Sequence, residues 1–118
     1  LDKLILLDFK TILSTQVIRR MQVMFVRITH FTIKPEKFDD LVAWNDEVRE
    51  KILNIPGMIS GYMTRASETE MISVAIYEDK ESVENAQEVA KEFMGQMSEF
   101  LDGSPDTTTA EVIRSFNK

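Results

Sequence analysis

Two side chains in this sequence are the first candidates for acid–base chemistry, His30 and Tyr77. His30 is the chain's only histidine, and imidazole is the side chain whose ordinary pKa lies closest to neutral pH. It could act as a general base that removes a proton from a substrate, while the Tyr77 hydroxyl donates a hydrogen bond to the resulting anion. The alternative is that His30 is a structural residue on the surface of a sheet.

Three further residues could bind a flat aromatic ligand: Trp44, Tyr62 and Arg65. Trp44 lies three residues after Leu41 and four before Val48, so it shares the apolar face of a predicted helix. It could form the floor of a pocket, although a tryptophan in such a position is more often part of the core. Tyr62 and Arg65 could supply a hydroxyl and a cation beside a bound anion.

The overall composition excludes several classes of function. The formal net charge of −6 argues against a nucleic-acid partner, because an acidic surface repels the phosphate backbone. There is no cysteine for a thiol nucleophile or a disulfide, which fits a cytoplasmic protein. No apolar run reaches the roughly 20 residues of a membrane span, and the acidic run 78–92 lacks the spacing of a metal site. We expect Arg27 and Arg114 to pair with some of the many carboxylates.

Hydrophobic periodicity and breakers divide the chain into six elements. They are a strand over 23–33, a helix over 35–53, strands over 58–66 and 71–77, a helix that begins after Asp79, and a strand over 107–116. The buried stripe of the first helix is predicted to contain Phe38, Leu41, Val42, Val48 and Ile52. A βαββαβ order with right-handed crossovers predicts an α+β, ferredoxin-like fold with a four-stranded antiparallel sheet.

One face of this sheet has no predicted cover, because both helices lie on the other face. The strand 71–77 is apolar on both sides, with Ile72, Val74 and Ile76 on one of them. We therefore expect a homodimer that packs two sheets face to face. The alternative cover is the apolar segment 1–20, which we expect to be an N-terminal arm or an extension before a start at Met21; residues 21–118 form the predicted domain.

Three stretches resemble the dimeric α/β-barrel proteins, and within them the group similar to antibiotic biosynthesis monooxygenases. They are the first strand running into Lys34–Pro35–Glu36 and a helix with Trp44, the run Ile55–Pro56–Gly57 before a strand, and Ser73–Val74–Ala75–Ile76–Tyr77–Glu78–Asp79 entering the second helix. The resemblance covers about residues 22–116.

This resemblance implies a set of possible activities. The group includes cofactor-independent oxygenases of polycyclic phenols, haem-degrading enzymes, quinol oxygenases and proteins of unknown role. The haem-degrading branch uses an asparagine, a tryptophan and a histidine, and the first two positions fall here on Thr29 and Tyr77, while the second helix has no histidine. The resemblance therefore favours a monooxygenase without metal or cofactor that acts on a small aromatic or quinol-type substrate. A ligand-binding or stress-response protein without catalysis, and a scaffold without a cavity, remain the alternatives.

Overall fold

The structure is a computed structural model that describes residues 23–118. Four strands form one sheet: β1 (Phe25–Thr32), β2 (Met58–Arg65), β3 (Glu70–Tyr77) and β4 (Asp106–Glu111). Their order across the sheet is β2-β3-β1-β4, and every neighbouring pair is antiparallel. The ferredoxin-like βαββαβ prediction is confirmed. The segment 1–20 and Met21, the predicted arm or extension, lie outside the described residues.

Each predicted helix consists of two consecutive helices. The first comprises a 3₁₀ turn at Pro35–Lys37, α1 (Phe38–Glu47) and α2 (Arg49–Leu53). The second comprises α3 (Lys80–Asn85) and α4 (Gln87–Met97), followed by a 3₁₀ turn at Ser98–Phe100. Both breaks occur at a residue whose ψ angle is near zero, so the helix axis changes direction and follows the twisted sheet.

The predicted N-cap at Asp79 is confirmed. Its Oδ1 accepts hydrogen bonds from the Ser82 backbone N–H at 2.8 Å and from the Ser82 hydroxyl at 2.7 Å. These bonds satisfy a donor that a helix start otherwise leaves free. They lower the pKa of the Asp79 carboxyl, because both favour its charged form. Asp79 therefore fixes the point where the chain leaves β3 and enters the helical layer.

The strand register divides the sheet into two unlike faces. Directly paired residues point to the same side, and successive residues alternate. The helix side carries Phe25, Arg27, Thr29 and Phe31 of β1 opposite Tyr77, Ala75, Ser73 and Met71 of β3. The open side carries Val26, Ile28 and His30 opposite Ile76, Val74 and Ile72, with Tyr62 of β2 beside Val74.

The core lies between the helices and the helix side of the sheet, in two clusters. The larger cluster consists of Phe31, Ile33, Phe38, Leu41, Met71, Met97, Phe100 and Leu101, with Trp44 packed against it. The smaller cluster consists of Tyr77, Val83 and Ala86, with Phe25, Ile55, Met58 and Ala75 packed against it. Bulky side chains therefore fill both ends of the helix side, and the space between them is left to smaller residues.

Two details of the predicted fold are wrong. Val42, predicted to be buried, is 46% exposed, because α1 turns its Phe38 and Leu41 face toward the sheet. The last strand ends at Glu111 rather than at residue 116, since Glu111 is the last residue of β4 that pairs with β1.

Candidate active site

A cavity of about 330 Å³ lies between the sheet and the helices, in the region between the two core clusters. It exists because small side chains face one another there. The sheet contributes Gly61, Ser73 and Ala75, and the helical layer contributes Ala86 and Ala90. A β-carbon added at Gly61 would meet its nearest neighbours, Met58 Sδ and the Val74 carbonyl, only at 3.8 and 3.9 Å. The volume lies within the usual range of small-molecule pockets.

One wall of the cavity is aromatic and is held in a fixed orientation. The Trp44 indole N–H donates to Gln96 Oε1 at 3.1 Å, across from α1 to α4. Its ring meets Phe93 edge-on, with centroids 6.0 Å apart and planes at 80°, and it lies 6.4 Å from the ring of Phe100. Edge-to-face packing and a hydrogen bond together restrict the indole, so it offers a defined flat surface. Trp44 is thus both packed on the core and part of the cavity lining.

At the other end of the cavity a buried arginine is held against the helical layer. Arg27 is only 9% exposed and lines the cavity. Its Nη2 donates to the Val83 carbonyl at 3.0 Å, and its Nη1 donates to the Tyr77 hydroxyl oxygen at 3.5 Å. The guanidinium carbon lies 5.6 Å from the centroid of the Tyr77 ring. These contacts fix the direction of the guanidinium and leave its positive charge beside the cavity.

Tyr77 itself stays protonated in this environment. The residue is 2% exposed, and burial raises the pKa of its hydroxyl, while the positive charge of Arg27 opposes that rise without overcoming it. A neutral phenol can donate a hydrogen bond to an anion in the cavity. It is a poor proton acceptor at neutral pH, so it fits the predicted role of donor.

The middle of the cavity floor carries two hydroxyl groups. Thr29 is buried, and its Oγ1 accepts a hydrogen bond from Thr107 Oγ1 at 3.3 Å. Ser73 lies directly opposite Thr29 in the register of β1 and β3. Thr29 therefore lines the cavity with a short hydroxyl, where the asparagine of the haem-degrading branch would extend further.

The structure does not bring all of the predicted site residues together. Trp44, Thr29 and Tyr77 all line the cavity. His30 lies on the open side of the sheet, one residue from Thr29 but on the opposite face, and its Nε2 is 3.4 Å from Glu70 Oε2. The single site that combined His30 with Tyr77 is therefore corrected: the sheet separates the two side chains.

The remaining two predicted binding residues also lie outside the centre of the cavity. Tyr62 borders it through β2, but the register puts its side chain on the open side, where it is 60% exposed. Arg65 lies at the far end of β2, where its guanidinium carbon is 4.0 Å from the centroid of the Phe38 ring and its Nε donates to the Ser67 carbonyl. The charge that reaches the cavity floor comes from Arg27 instead.

Sequence reasoning missed Arg27, for which we expected a carboxylate partner. Within residues 23–118 the ion pairs are His30–Glu70 and Lys37–Asp40. Neither Arg27 nor Arg114, which donates to the Ile113 carbonyl, therefore has the expected carboxylate partner among these residues. The available signal was strand alternation. Arg27 is two residues from Thr29 and therefore shares its face, and an arginine on a covered face is rare unless it is paired, which marks it as a residue to examine.

The sequence matches a family model, and the fold matches solved structures. Residues 24–91, more than half of the chain, match the family model described as antibiotic biosynthesis monooxygenase. No curated protein is similar enough in sequence to count as a match. Within residues 23–118, no helix has the length and apolar character needed to cross a membrane.

Three solved structures illustrate the match in fold. A protein of unknown function from Nitrosomonas europaea gives a TM-score of 0.71 at 10% identity, over 82% of this chain and 96% of its own. A monooxygenase from Streptomyces coelicolor, in complex with nanaomycin D, gives 0.67 at 21% identity, over 81% and 93%. SnoaB, a cofactor-independent oxygenase from Streptomyces nogalater, gives 0.63 at 11% identity, over 80% and 98%. At these identities the likeness is one of fold.

Proposed function

Because the chain belongs to the antibiotic biosynthesis monooxygenase family, we propose that it is a cofactor-independent oxygenase of a small aromatic or quinol-type substrate. The observation that carries this proposal is the 330 Å³ cavity with an oriented aromatic wall at Trp44 and a buried polar pair, Arg27 and Tyr77. A flat ring fits against the indole, and an oxygen atom of the ring fits against the polar pair. The relatives that are a monooxygenase holding nanaomycin D and a cofactor-independent oxygenase support the same chemistry.

In the proposed reaction O₂ is the only oxidant. The ionised phenol gives electron density to O₂, and a C–O bond forms at a ring carbon that carries a hydrogen atom. Cleavage of the O–O bond leaves one oxygen atom on the ring as a carbonyl. The other oxygen leaves as water, which carries the ring hydrogen as one proton and takes its second proton from solvent, in place of the phenolic proton released there. O₂ accepts all the electrons that the phenol loses in becoming a quinone, so the reaction balances without another reactant.

The cavity favours the ionised form of such a substrate. Arg27 stabilises negative charge on the substrate oxygen, and the Tyr77 hydroxyl donates to it. The described residues that line the cavity include no carboxylate and no imidazole, so the phenolic proton leaves through solvent at the mouth of the cavity. Desolvation by the apolar lining strengthens both interactions.

A second function is favoured by the same observation. Without a base in the cavity, the site can bind an aromatic molecule and still react slowly or not at all with O₂. The chain is then a small-ligand-binding or stress-response protein with the same pocket. Turnover is what separates the two functions, since both require that the cavity be occupied.

The open side of the sheet completes the proposal. Its apolar strip includes Ile28, which is exposed, and Val74 and Ile76, which are half-buried, and a second copy of the chain offers the matching strip. Two ferredoxin-like sheets packed in this way form the dimeric α/β barrel that characterises the superfamily. We therefore propose a homodimer, with the segment 1–20 as the competing cover, and light scattering at micromolar concentration distinguishes a dimer from a 13.6 kDa monomer.

The test of the proposed activity is oxygen uptake with a panel of hydroquinones and anthrols. Wild type is compared with Tyr77→Phe, which removes the donor in the cavity, and with His30→Ala, which alters the opposite face. We expect uptake well above the rate without protein, a loss of roughly 10-fold or more in Tyr77→Phe, and little change in His30→Ala. Uptake no faster than the rate without protein across the panel overturns the oxygenase and favours the binding protein.

A further inference from the structure

The buried charge of Arg27 has no counter-ion among the described residues. Its paired neighbours across the sheet are Ala75 and Thr109, which carry no charge. The nearest carboxylate in the register on this face is Glu111, which pairs with Phe25, is exposed, and forms no ion pair with Arg27. The hydroxyl of Tyr77, its one acidic contact, stays neutral because burial raises its pKa.

Hydrogen bonds satisfy part of this guanidinium but do not neutralise it. The Val83 carbonyl and the Tyr77 hydroxyl oxygen each accept one hydrogen bond, while a guanidinium has five N–H donors. A buried charge without a partner carries a large desolvation penalty, which an opposite charge within hydrogen-bond distance offsets. Because Arg27 lines the cavity, a ligand bound there can supply that opposite charge.

We propose that Arg27 selects ligands by charge, so that the cavity takes a planar aromatic molecule with one anionic oxygen group, a carboxylate or a phenolate. The charge selection rests on the proposed function for the location of the ligand site, but it does not require that the bound ligand react. Arg27 and Phe31 are four residues apart on β1, or roughly 13 Å along the strand. That span lets the anionic group meet Arg27 while a bicyclic or tricyclic ring reaches the Trp44 wall.

A second cation near the cavity provides a matched control. Arg49 on α2 also lines the cavity, but the residue is exposed. Water screens an exposed charge, so its attraction for an anion is much weaker than that of a buried one. The two arginines carry the same charge and differ in burial, and the inference assigns the selection to Arg27 alone.

The experiment is isothermal titration calorimetry with two probes of nearly the same shape, 2-naphthoate and the uncharged 2-naphthamide, on the full chain under nitrogen. We expect wild type to bind 2-naphthoate at least 10-fold more tightly than 2-naphthamide, because only the carboxylate pairs with Arg27. Arg27→Gln keeps hydrogen-bond donors without the charge, and it is expected to reduce the preference to about 2-fold or less. Arg49→Gln is expected to keep most of the preference.

Each alternative result has a definite meaning. Equal affinities in wild type, failure of both probes to bind, or loss of the preference in Arg49→Gln but not in Arg27→Gln would overturn the inference. Arg27→Lys retains a positive charge, so partial retention of the preference supports it even if Arg27→Gln folds poorly. Because no oxygen is present, the charge preference can fail while the oxygenase proposal stands, and turnover can be absent while the preference stands.

Discussion

The two faces of the sheet differ in the size of their side chains and in whether other elements cover them. On the helix side the central residues are small, Thr29, Ser73 and Ala75, and the helices above them leave a cavity. On the open side the residues between them are branched and apolar, such as Ile28 and Val74, and no described element covers them. On the helix side the side chains are too small to fill the space, and on the open side no element within residues 23–118 covers the apolar surface.

This difference arises from single steps along the strands. Because side chains alternate, neighbouring residues of β1 contribute to opposite faces, so Thr29 lines the cavity and His30 does not. A shift of one residue in register would exchange every such pair. One strand therefore both lines the cavity and supplies a surface for assembly. Substitutions at neighbouring residues of that strand test different functions.

The largest effect is expected from a charge on the open side. Ile28 is 38% exposed at the centre of β1, and Ile28→Asp would place like charges in the interface between two copies. Like-charge contact costs several kcal/mol, so we expect roughly a 1,000-fold weaker dimer or more. Light scattering at 10 µM is expected to give mostly monomer, whereas wild type gives dimer. A dimer that withstands the substitution would place the interface elsewhere.

The next effect concerns the turn that closes the Tyr77 end of the helix side. Gly57 has φ of +78°, and an added β-carbon would collide with the Ser82 side chain, while the Gly57 carbonyl accepts from the Glu78 N–H at 2.8 Å. We expect Gly57→Ala to lower the free energy of unfolding by about 2–4 kcal/mol, from steric overlap and a strained backbone.

The matched control for that turn is the same substitution in α4. Gly95→Ala meets no atom within 4 Å and does not require positive φ, so we expect it to raise stability by about 0.5–1 kcal/mol. Urea unfolding monitored by circular dichroism measures both variants. Equal effects at the two positions would contradict the steric account of the turn.

A smaller effect is expected when the cavity is filled without touching the open side. Ser73→Leu puts a branched side chain between Thr29 and Met63 on the cavity floor. We expect at least a 10-fold loss of 2-naphthoate affinity by calorimetry, because the side chain occupies ligand volume, with the dimer unchanged. Ser104→Leu makes the same substitution in an exposed loop and is expected to leave the affinity within 2-fold. Unchanged affinity in Ser73→Leu would place the ligand elsewhere.

The smallest effect is a change in alkaline stability from Tyr77. Burial raises the pKa of the folded-state Tyr77 hydroxyl above its ordinary value of 10.0, and in the unfolded chain that burial is absent. The folded protein therefore holds the proton more tightly, so this contribution is present below pH 10 and is lost as the pH rises through the folded pKa. We expect Tyr77→Phe to show a shallower loss of stability above pH 10 than wild type, and no difference in slope near pH 7.

Much of the fold could be predicted because its signals are local. The β-branched and apolar residues of β1 and β3, the breakers at Pro56–Gly57, and the cap at Asp79 are all local signals, and together they predicted the element order. The ends were less certain. The chain after Glu111 continues with apolar residues such as Ile113 and Phe116, but these find no strand partner in the described structure.

The site was harder to predict because the cavity forms where small side chains from different elements leave space between the sheet and the helices. Trp44, Thr29 and Tyr77 were found from their types and from the resemblance, and the structure places them at one cavity. His30 was predicted from its acid–base chemistry alone. That prediction did not take into account that side chains alternate along β1, which puts His30 and Thr29 on opposite faces. Arg27 was passed over because a sequence does not show whether a carboxylate lies within reach, which only the packing of β1 against α3 determines.

The most direct test of the central claim, that the helix side holds the ligand, is a crystal structure of the protein soaked with 2-naphthoate. The account predicts density for the naphthalene ring in the cavity against Trp44, with the carboxylate within hydrogen-bond distance of Arg27. Density for the ring on the open side near His30, or a cavity filled by the protein's own side chains, would contradict it.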